Sequence, residues 1–188
     1  WREFEIAKAM PLVEAEMKNI QKGLEEETRE AAKTATFLAG FYFQMGQYSK
    51  VENIHRTVLR IREKRRGFAH PDVAMTLKRI GDQLTEQAKF GEAYHYYQLA
   101  RSVFNESGFA TGNAYVYQSL ANFYRATGDY GKVMIMVNYF EEMLSGYPSY
   151  RDAAQQNAES FRADILLKTG NHVEAKRKYK KIMEYVSS

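Results

Sequence analysis

Histidine and carboxylate side chains are the groups in this sequence that could bind a metal ion or transfer protons. The four histidines lie far apart along the chain, and Cys is absent, so neither a thiolate nucleophile nor a cysteine-ligated metal site can form. The Gly-rich phosphate-binding motifs and the His-Glu-x-x-His metal motif are also missing. We therefore predict no catalytic residue, no metal and no cofactor, and we expect packing or turn positions for His55 and His172.

Positive charge is concentrated near the C-terminal end of the sequence. The net charge is +4, and residues 176–188 alone hold five cationic side chains and one acidic one, which leaves the other residues neutral in sum. A uniformly basic surface is therefore excluded. We expect the stretch from Arg60 to Arg66, which is similarly charged, to coat a solvent-facing helix end. The C-terminal basic patch, which could contact RNA or an acidic protein surface, consists of Lys176, Arg177, Lys178, Lys180 and Lys181.

A short phrase that recurs along the chain indicates which elements position these side chains. Its copies begin at residues 46, 88, 128 and 170, so they are separated by 42 (88 − 46), 40 (128 − 88) and 42 (170 − 128) residues. A fixed period in this range is typical of stacked-repeat proteins. The copies are Gly46-Gln47-Tyr48, Ala88-Lys89-Phe90, Gly128-Asp129-Tyr130 and Gly170-Asn171-His172.

Each copy of the phrase lies between two segments with helical periodicity. Large apolar residues recur at intervals of three and four before the phrase, as at Phe37, Phe41 and Met45, and a second periodic segment follows it. Glycine at the first position of the phrase can adopt the left-handed conformation that ends a helix. Small residues recur at one register of the first segments, where they would let the paired helix approach closely: Ala39, Gly81, Ala121 and Ala163.

Two of these segment pairs resemble the tetratricopeptide repeat, whose pattern is W-x-x-L-G-x-x-Y followed by A-x-x-x-F. The matching stretches are Leu77-x-x-Ile80-Gly81-x-x-Leu84 with Ala93-x-x-x-Tyr97, and Tyr117-x-x-Leu120-Ala121-x-x-Tyr124 with Val133-x-x-x-Val137. The His70-Pro71-Asp72 loop is similar to that of the longer, kinesin light chain-type repeats. The resemblance implies an all-α fold, a right-handed superhelix of antiparallel helix pairs (an α-solenoid), in which Pro71 opens a helix.

The period divides the chain into about four repeats that follow a half repeat. No Pro-rich or Gly/Ser-rich linker interrupts the sequence, so a single array from 1 to 188 is predicted. Because the half repeat lacks its partner helix and the first residue is Trp1, we expect a processed start or a truncation. The half repeat covers 4–22 and the repeats cover 31–66, 71–105, 112–145 and 150–186, the last of which includes the basic helix.

In arrays of the tetratricopeptide type, the first helices line the concave surface, and side chains one turn apart form a column that a bound protein segment can contact. Polar residues also occur on every solvated helix face, and that alternative stays open. Neither the Lys and Asn clamp of chaperone-binding members nor the paired asparagines of kinesin light chain-like grooves is present. The predicted column consists of Met75, Lys78, Arg79, Asp82, Tyr115, Gln118, Asn122, Arg125 and Asn157, preceded by Lys33, Thr36, Gly40 and Phe43.

The sequence thus predicts a non-enzymatic adaptor or scaffold, which binds a protein segment in the concave groove or docks within a larger complex. One alternative is an RNA-associated helical-repeat subunit that uses the basic C-terminal helix. Another is an assembly or structural subunit of an organellar complex, which rests on the start at Trp1 and the basic composition. No run of about 18 apolar residues is present. We expect an intracellular protein in the cytoplasm or, as an alternative, in a mitochondrial or other organellar matrix.

Overall fold

The computed structural model describes residues 11, 12, 14–16, 18, 20–24 and 28–186. These residues form helices joined by short turns, with no strand among them, and the chain divides into two compact units, 1–107 and 108–188. The first unit contains α1 (Arg29–Gln44), α2 (Tyr48–Arg66), α3 (Pro71–Glu86) and α4 (Phe90–Glu106). The second unit contains α5 (Ala110–Thr127), α6 (Tyr130–Ser145), α7 (Pro148–Lys168) and α8 (His172–Val186).

Helical residues between 11 and 24 precede α1 in the first unit. Ile20 and Leu24 pack against the core that α1 and α2 form, and Glu14 lies 3.5 Å from the ammonium group of Lys50 on α2. A helix that contacts α1 and α2 is what the predicted half repeat over 4–22 requires. That half repeat lies partly outside the described residues.

The recurring phrase forms the same turn at the end of α1, α3, α5 and α7. The second residue of each phrase donates its backbone N–H to the carbonyl oxygen five residues earlier, over 2.8–2.9 Å, which is the pairing of a Schellman motif. The first residue has a positive φ of 69° at Gly46, 80° at Gly128 and 89° at Gly170. The predicted role of these glycines at the helix ends is confirmed.

Replacing Ala88 by glycine is expected to raise the free energy of unfolding by about 0.5–1 kcal/mol. Ala88 occupies the same turn position with a φ of 57°, where a side chain with Cβ costs about 1–2 kcal/mol, whereas glycine costs only its greater freedom in the unfolded chain, roughly 0.5–1 kcal/mol. Urea denaturation measures the change. The matched control, Gly128→Ala, is expected to shift stability in the opposite direction, and a destabilised Ala88→Gly variant would contradict the argument.

Paired helices approach each other closely where the sequence places small residues. Ala39, Ala121 and Ala163 are buried, and a Cβ atom built on Gly81 would lie only 2.7 Å from Cε1 of the Tyr97 ring on α4. The predicted close approach is therefore confirmed. Pro71 occupies the first turn of α3, and the side chain of His70 caps that helix by accepting the backbone N–H of Asp72 over 3.0 Å, as the loop resemblance implied for Pro71.

Within the part of the chain that the structure describes, none of the helices combines the length and the apolar composition that a bilayer crossing requires.

Candidate functional site

The predicted column begins in the first unit on α3, where two of its members are engaged with each other. Lys78 and Asp82 form an ion pair, with 2.8 Å between Nζ and Oδ2. Asp82 also accepts the hydroxyl proton of Tyr97 through Oδ1, over 3.1 Å. Met75 is half-buried and Arg79 is exposed. Arg79 is therefore the cation of this set with the greater freedom to reach a partner.

An open pocket of about 450 Å³ lies between α1 and α3 of the first unit. Four predicted residues line this α1–α3 pocket, namely Lys33, Thr36, Gly40 and Arg79. Phe43, which was expected beside them, instead packs against the core of α1 and α2. Among the residues that the structure describes, the lining is Lys33, Thr36, Phe37, Gly40, Phe41, Gln44, Arg62 and Arg79, which includes three cations and no carboxylate.

Phe37 is the large apolar side chain in this lining that water reaches most. Helical periodicity groups Phe37 with the apolar residues Phe41 and Met45, yet 69% of its surface is exposed. Its ring lies 5.5 Å from the ring of Phe41 in an edge-to-face arrangement. Four residues separate the two side chains, so they occupy one face of α1, and that face borders the pocket. The pocket therefore offers aromatic surface beside positive charge.

Arg62 is a site residue that the sequence analysis missed. It extends from α2 and donates from Nη1 to the Thr76 hydroxyl (2.6 Å) and the Asp72 carbonyl (3.2 Å), and from Nη2 to the Thr36 hydroxyl (3.4 Å). Burial lowers the pKa of Arg62, and Arg79 lowers it further, while Asp72 partly opposes this shift. Its acceptors lie 10 to 26 residues away in the sequence, beyond the reach of a local pattern.

His55 lies on α2 and is buried, with 5% of its surface exposed. Burial lowers its pKa from 6.5 to about 4, with further lowering by Arg79 and Arg62 and partial opposition from Gln83 and Asp82. Nδ1 has no hydrogen-bond partner among the described residues. The predicted packing position of His55 is confirmed, and the imidazole is neutral near pH 7. His172 is the first residue of α8 and is exposed.

In the second unit, the structure brings Asn122 and Arg125 of the predicted column together. Arg125 donates to Oδ1 of Asn122 over 2.8 Å and to Oδ2 of Asp164 on α7 over 2.6 Å. The guanidinium also lies 5.6 Å from the centre of the Phe161 ring. This cluster links α5 to α7. Tyr115 and Gln118 are half-buried and Asn157 is exposed, and these three lie outside the cluster.

Asp82 and Asp164 make the same contact in the two units, which we call the Asp–Tyr clasp. Each accepts a phenol proton from a tyrosine 15 residues later, Tyr97 and Tyr179 respectively. Burial raises the pKa of Tyr97, and the hydrogen bond to Asp164 raises the pKa of Tyr179 to about 12. Both phenols therefore stay protonated donors. The matched spacing of Asp and Tyr was the sequence signal for this contact.

The C-terminal basic patch is largely paired with carboxylates. Arg177 contacts Glu174 over 2.5 Å, Lys178 contacts Glu159 over 2.6 Å and Lys180 lies 3.8 Å from Glu184. Lys176 is exposed, and Lys181 borders an open pocket of about 330 Å³ that also includes Asp152 and Glu159. This pairing makes the surface less positive than the run of cations in the sequence suggests.

Among the residues that the structure describes, no group of three or more His, Asp or Glu side chains is arranged to hold a metal ion. The two groups with the largest pKa displacements among the described residues, His55 and Tyr97, are both buried.

Comparisons with solved structures identify the fold. The structure of BtubC (BKLC) from P. vanneervenii superposes on 99% of this chain and 75% of its own, with a TM-score of 0.67 and 17% identity. A putative kinesin light chain with nearly identical TPR-like repeats from Podosopora anserina covers 97% of this chain and 88% of its own, with a TM-score of 0.64 and 14% identity. The Q17M variant of that protein covers 97% of this chain and 87% of its own, with a TM-score of 0.66 and 14% identity.

No protein-family model and no curated protein matches the chain. The structural likeness nonetheless shows a tetratricopeptide-like helical repeat fold, and the predicted all-α class and the stated resemblance are confirmed. At identities of 14–17% the likeness establishes the fold alone.

Proposed function

We propose that this chain is a non-enzymatic adaptor or scaffold that binds a segment of another protein along the first helices of its repeats. The fold supports this function because helical repeat arrays present a large surface for recognition relative to their size. The α1–α3 pocket is the observation that carries the proposal, since it combines an exposed aromatic side chain, Phe37, with the cations Lys33, Arg62 and Arg79.

Aromatic and arginine side chains concentrate binding energy in protein interfaces. Phe37 exposes most of its ring to water in the free chain, and a partner that covered it would gain the free energy of removing that apolar surface from water. Arg79 is exposed at the same pocket, and its planar guanidinium can donate to backbone or carboxylate oxygens of a bound segment. We therefore place the centre of the binding face at Phe37 and Arg79.

The predicted column residues of the second unit form a separate candidate face of the same kind. Tyr115, Gln118 and Asn157 in the second unit keep partial or full exposure, and the cluster of Asn122 and Arg125 presents polar groups on α5. The pairing of the basic patch with Glu159, Glu174 and Glu184 does not favour the RNA-associated alternative.

Placing a photo-crosslinking amino acid at position 37 in the full chain tests this function in extract. The crosslinked partner segment is identified by mass spectrometry and synthesised, and its affinity for the chain is measured by fluorescence anisotropy. We expect Phe37→Ala combined with Arg79→Glu to weaken binding about a hundredfold, which corresponds to loss of two interface hot spots.

Phe68→Ala combined with Lys89→Glu is the matched control, because it removes an exposed aromatic and reverses an exposed cation of the same unit outside the pocket. Its binding should equal that of the wild type. Equal affinity of all three proteins, or crosslinks that do not depend on the pocket, would exclude this face as the binding surface.

A further inference from the structure

A second cavity in the first unit, of about 340 Å³, lies beside the end of α2 and is strongly cationic. Arg29 and Lys33 border it from α1, and Arg62, Arg65 and Arg66 border it from α2. Asp72 at the start of α3 is the acidic side chain among the described residues of the lining. These described residues, five cations and one anion, sum to a charge of +4. Three arginines of the stretch from Arg60 to Arg66, for which the sequence predicts a solvent-facing helix end, thus border a cavity.

Arg62 is the side chain that distinguishes this cavity from an ordinary basic surface. Arg62 is half-buried, and its three hydrogen bonds go to two threonine hydroxyls and a backbone carbonyl, all of them neutral. A guanidinium has five N–H donors, so two remain without a partner among the described residues. A half-buried cation held by neutral oxygens is stabilised by any anion that reaches it.

The threonines that hold Arg62 are themselves fixed. The Thr36 hydroxyl donates to the carbonyl of Ala32 over 2.7 Å, and the Thr76 hydroxyl donates to the carbonyl of Asp72 over 2.8 Å. Each hydroxyl has thus used its proton and offers a lone pair to Arg62. The guanidinium is therefore held in place before any ligand arrives, which reduces the entropy lost on binding.

We propose that this cationic cavity binds a soluble phosphate compound with at least two phosphate groups. A terminal phosphate group carries a charge of about −1.5 to −2 near pH 7, so at least two phosphate groups are needed to match a charge of +4 on the described lining. Arginine is suited to this ligand because its fork of donors matches phosphate oxygens. The Asp72 carboxylate repels an anionic ligand. Arg66 lies 3.6 Å from this carboxylate and offsets part of its negative charge. The cavity shares Lys33 and Arg62 with the α1–α3 pocket, but the phosphate proposal does not depend on protein binding there.

Isothermal titration calorimetry of the full chain with inorganic tripolyphosphate, at low ionic strength and without magnesium, tests this site. We expect saturable binding to the wild type that weakens about tenfold in Arg29→Gln combined with Arg66→Gln, since two cations near the ligand are removed. Lys176→Gln combined with Lys180→Gln removes the same charge from the second unit and should change affinity less than about twofold, because solvent and salt screen distant charges.

The Asp72→Asn substitution should strengthen binding, in contrast to the arginine substitutions. It removes the carboxylate of the lining and should tighten tripolyphosphate binding about threefold, an effect that partial unfolding cannot produce. Equal weakening by both double variants would show a response to net charge alone and would overturn the site. Absence of binding to the wild type, or retention of a single-stranded RNA of about 12 nucleotides without binding of tripolyphosphate, would also overturn it.

Discussion

Replacing Tyr97 by alanine is expected to lower the free energy of unfolding by about 3–5 kcal/mol, the range for truncating a buried aromatic ring. Tyr97 is 1% exposed, and its hydroxyl lies 3.0 Å from that of Thr85 and 3.1 Å from Oδ1 of Asp82. Tyr97→Phe keeps the ring and removes only these hydrogen bonds, so it should cost about 1 kcal/mol. Urea denaturation followed by circular dichroism gives both values.

The Tyr97 ring also determines the effect of replacing Gly81. A Cβ atom at Gly81 would lie 2.7 Å from Cε1 and 2.8 Å from Cδ1 of the ring, and such overpacking costs about 1–3 kcal/mol. Alanine inside a helix gains about 1 kcal/mol over glycine. The net expectation for Gly81→Ala in the wild type is a loss of about 1 kcal/mol. In the Tyr97→Ala background the obstacle is gone, and the same substitution should raise stability by about 1 kcal/mol.

The double-mutant cycle therefore has an expected coupling of about 2 kcal/mol between positions 81 and 97. Gly40→Ala is the matched control, because Gly40 lies inside α1 with no atom within 4 Å of the added Cβ. It should be stabilising in both backgrounds. If Tyr97→Ala populates too little folded protein, Tyr97→Leu serves as the background. Additive effects of the two substitutions would refute the close contact.

Lowering the pH from 7 to 5 is expected to lower the free energy of unfolding by about 2 kcal/mol through His55. Burial reduces its folded-state pKa to about 4, from 6.5 in the unfolded chain. Between these values the unfolded state binds the proton and the folded state does not, so stability falls as the pH falls through this window. The full difference of 2.5 units corresponds to about 3.4 kcal/mol.

A carboxylate with a lowered pKa, such as that of Glu159, changes stability at lower pH than His55 does. Burial opposes ionisation of Glu159, but hydrogen bonds from Lys178 and Arg162 lower the pKa of Glu159 overall, below its ordinary 4.5. A carboxylate with a lowered pKa keeps its stabilising effect above the unfolded value and loses it only at lower pH. Changes of stability between pH 6.5 and 5 therefore report on the buried imidazole.

His55→Phe should remove the pH dependence between 7 and 5, whereas His95→Phe, at an exposed position, should retain it. The measurement is urea denaturation across the pH range. NMR titration of the His55 ring in the wild type gives an independent value and does not require a folded variant. A folded-state pKa near 6.5 for His55 would contradict the prediction.

Features that depend on neighbouring residues could be predicted from the sequence. The helix ends at Gly46, Gly128 and Gly170 follow from one residue with positive φ and a short run of backbone hydrogen bonds. The close approach at Gly81 follows from the small-residue register. In both cases the contacts that determine the structure lie within one helix pair. The repeating pattern of the sequence therefore predicts them.

The site could be predicted only in part, because its members meet across three helices. Arg79, Lys33 and Thr36 were placed on the binding face by their register, and they line the pocket. The position of Arg62 depends on Thr36, Thr76 and the Asp72 carbonyl, which belong to other helices. The exposure of Phe37 could not be predicted, because helical periodicity identifies an apolar face without showing how far the partner helix covers it.

The Asp–Tyr clasps of the two units join helices of the same repeat, α3 to α4 and α7 to α8. In a nearest-neighbour description of repeat proteins, stability is a sum of intrinsic terms for each repeat and coupling terms between neighbours. A contact inside one repeat adds to the intrinsic term and leaves the coupling unchanged. The α3–α4 and α7–α8 pairs consequently hold part of their stability independently of adjacent repeats, which makes them suited to nucleate folding from within their own unit.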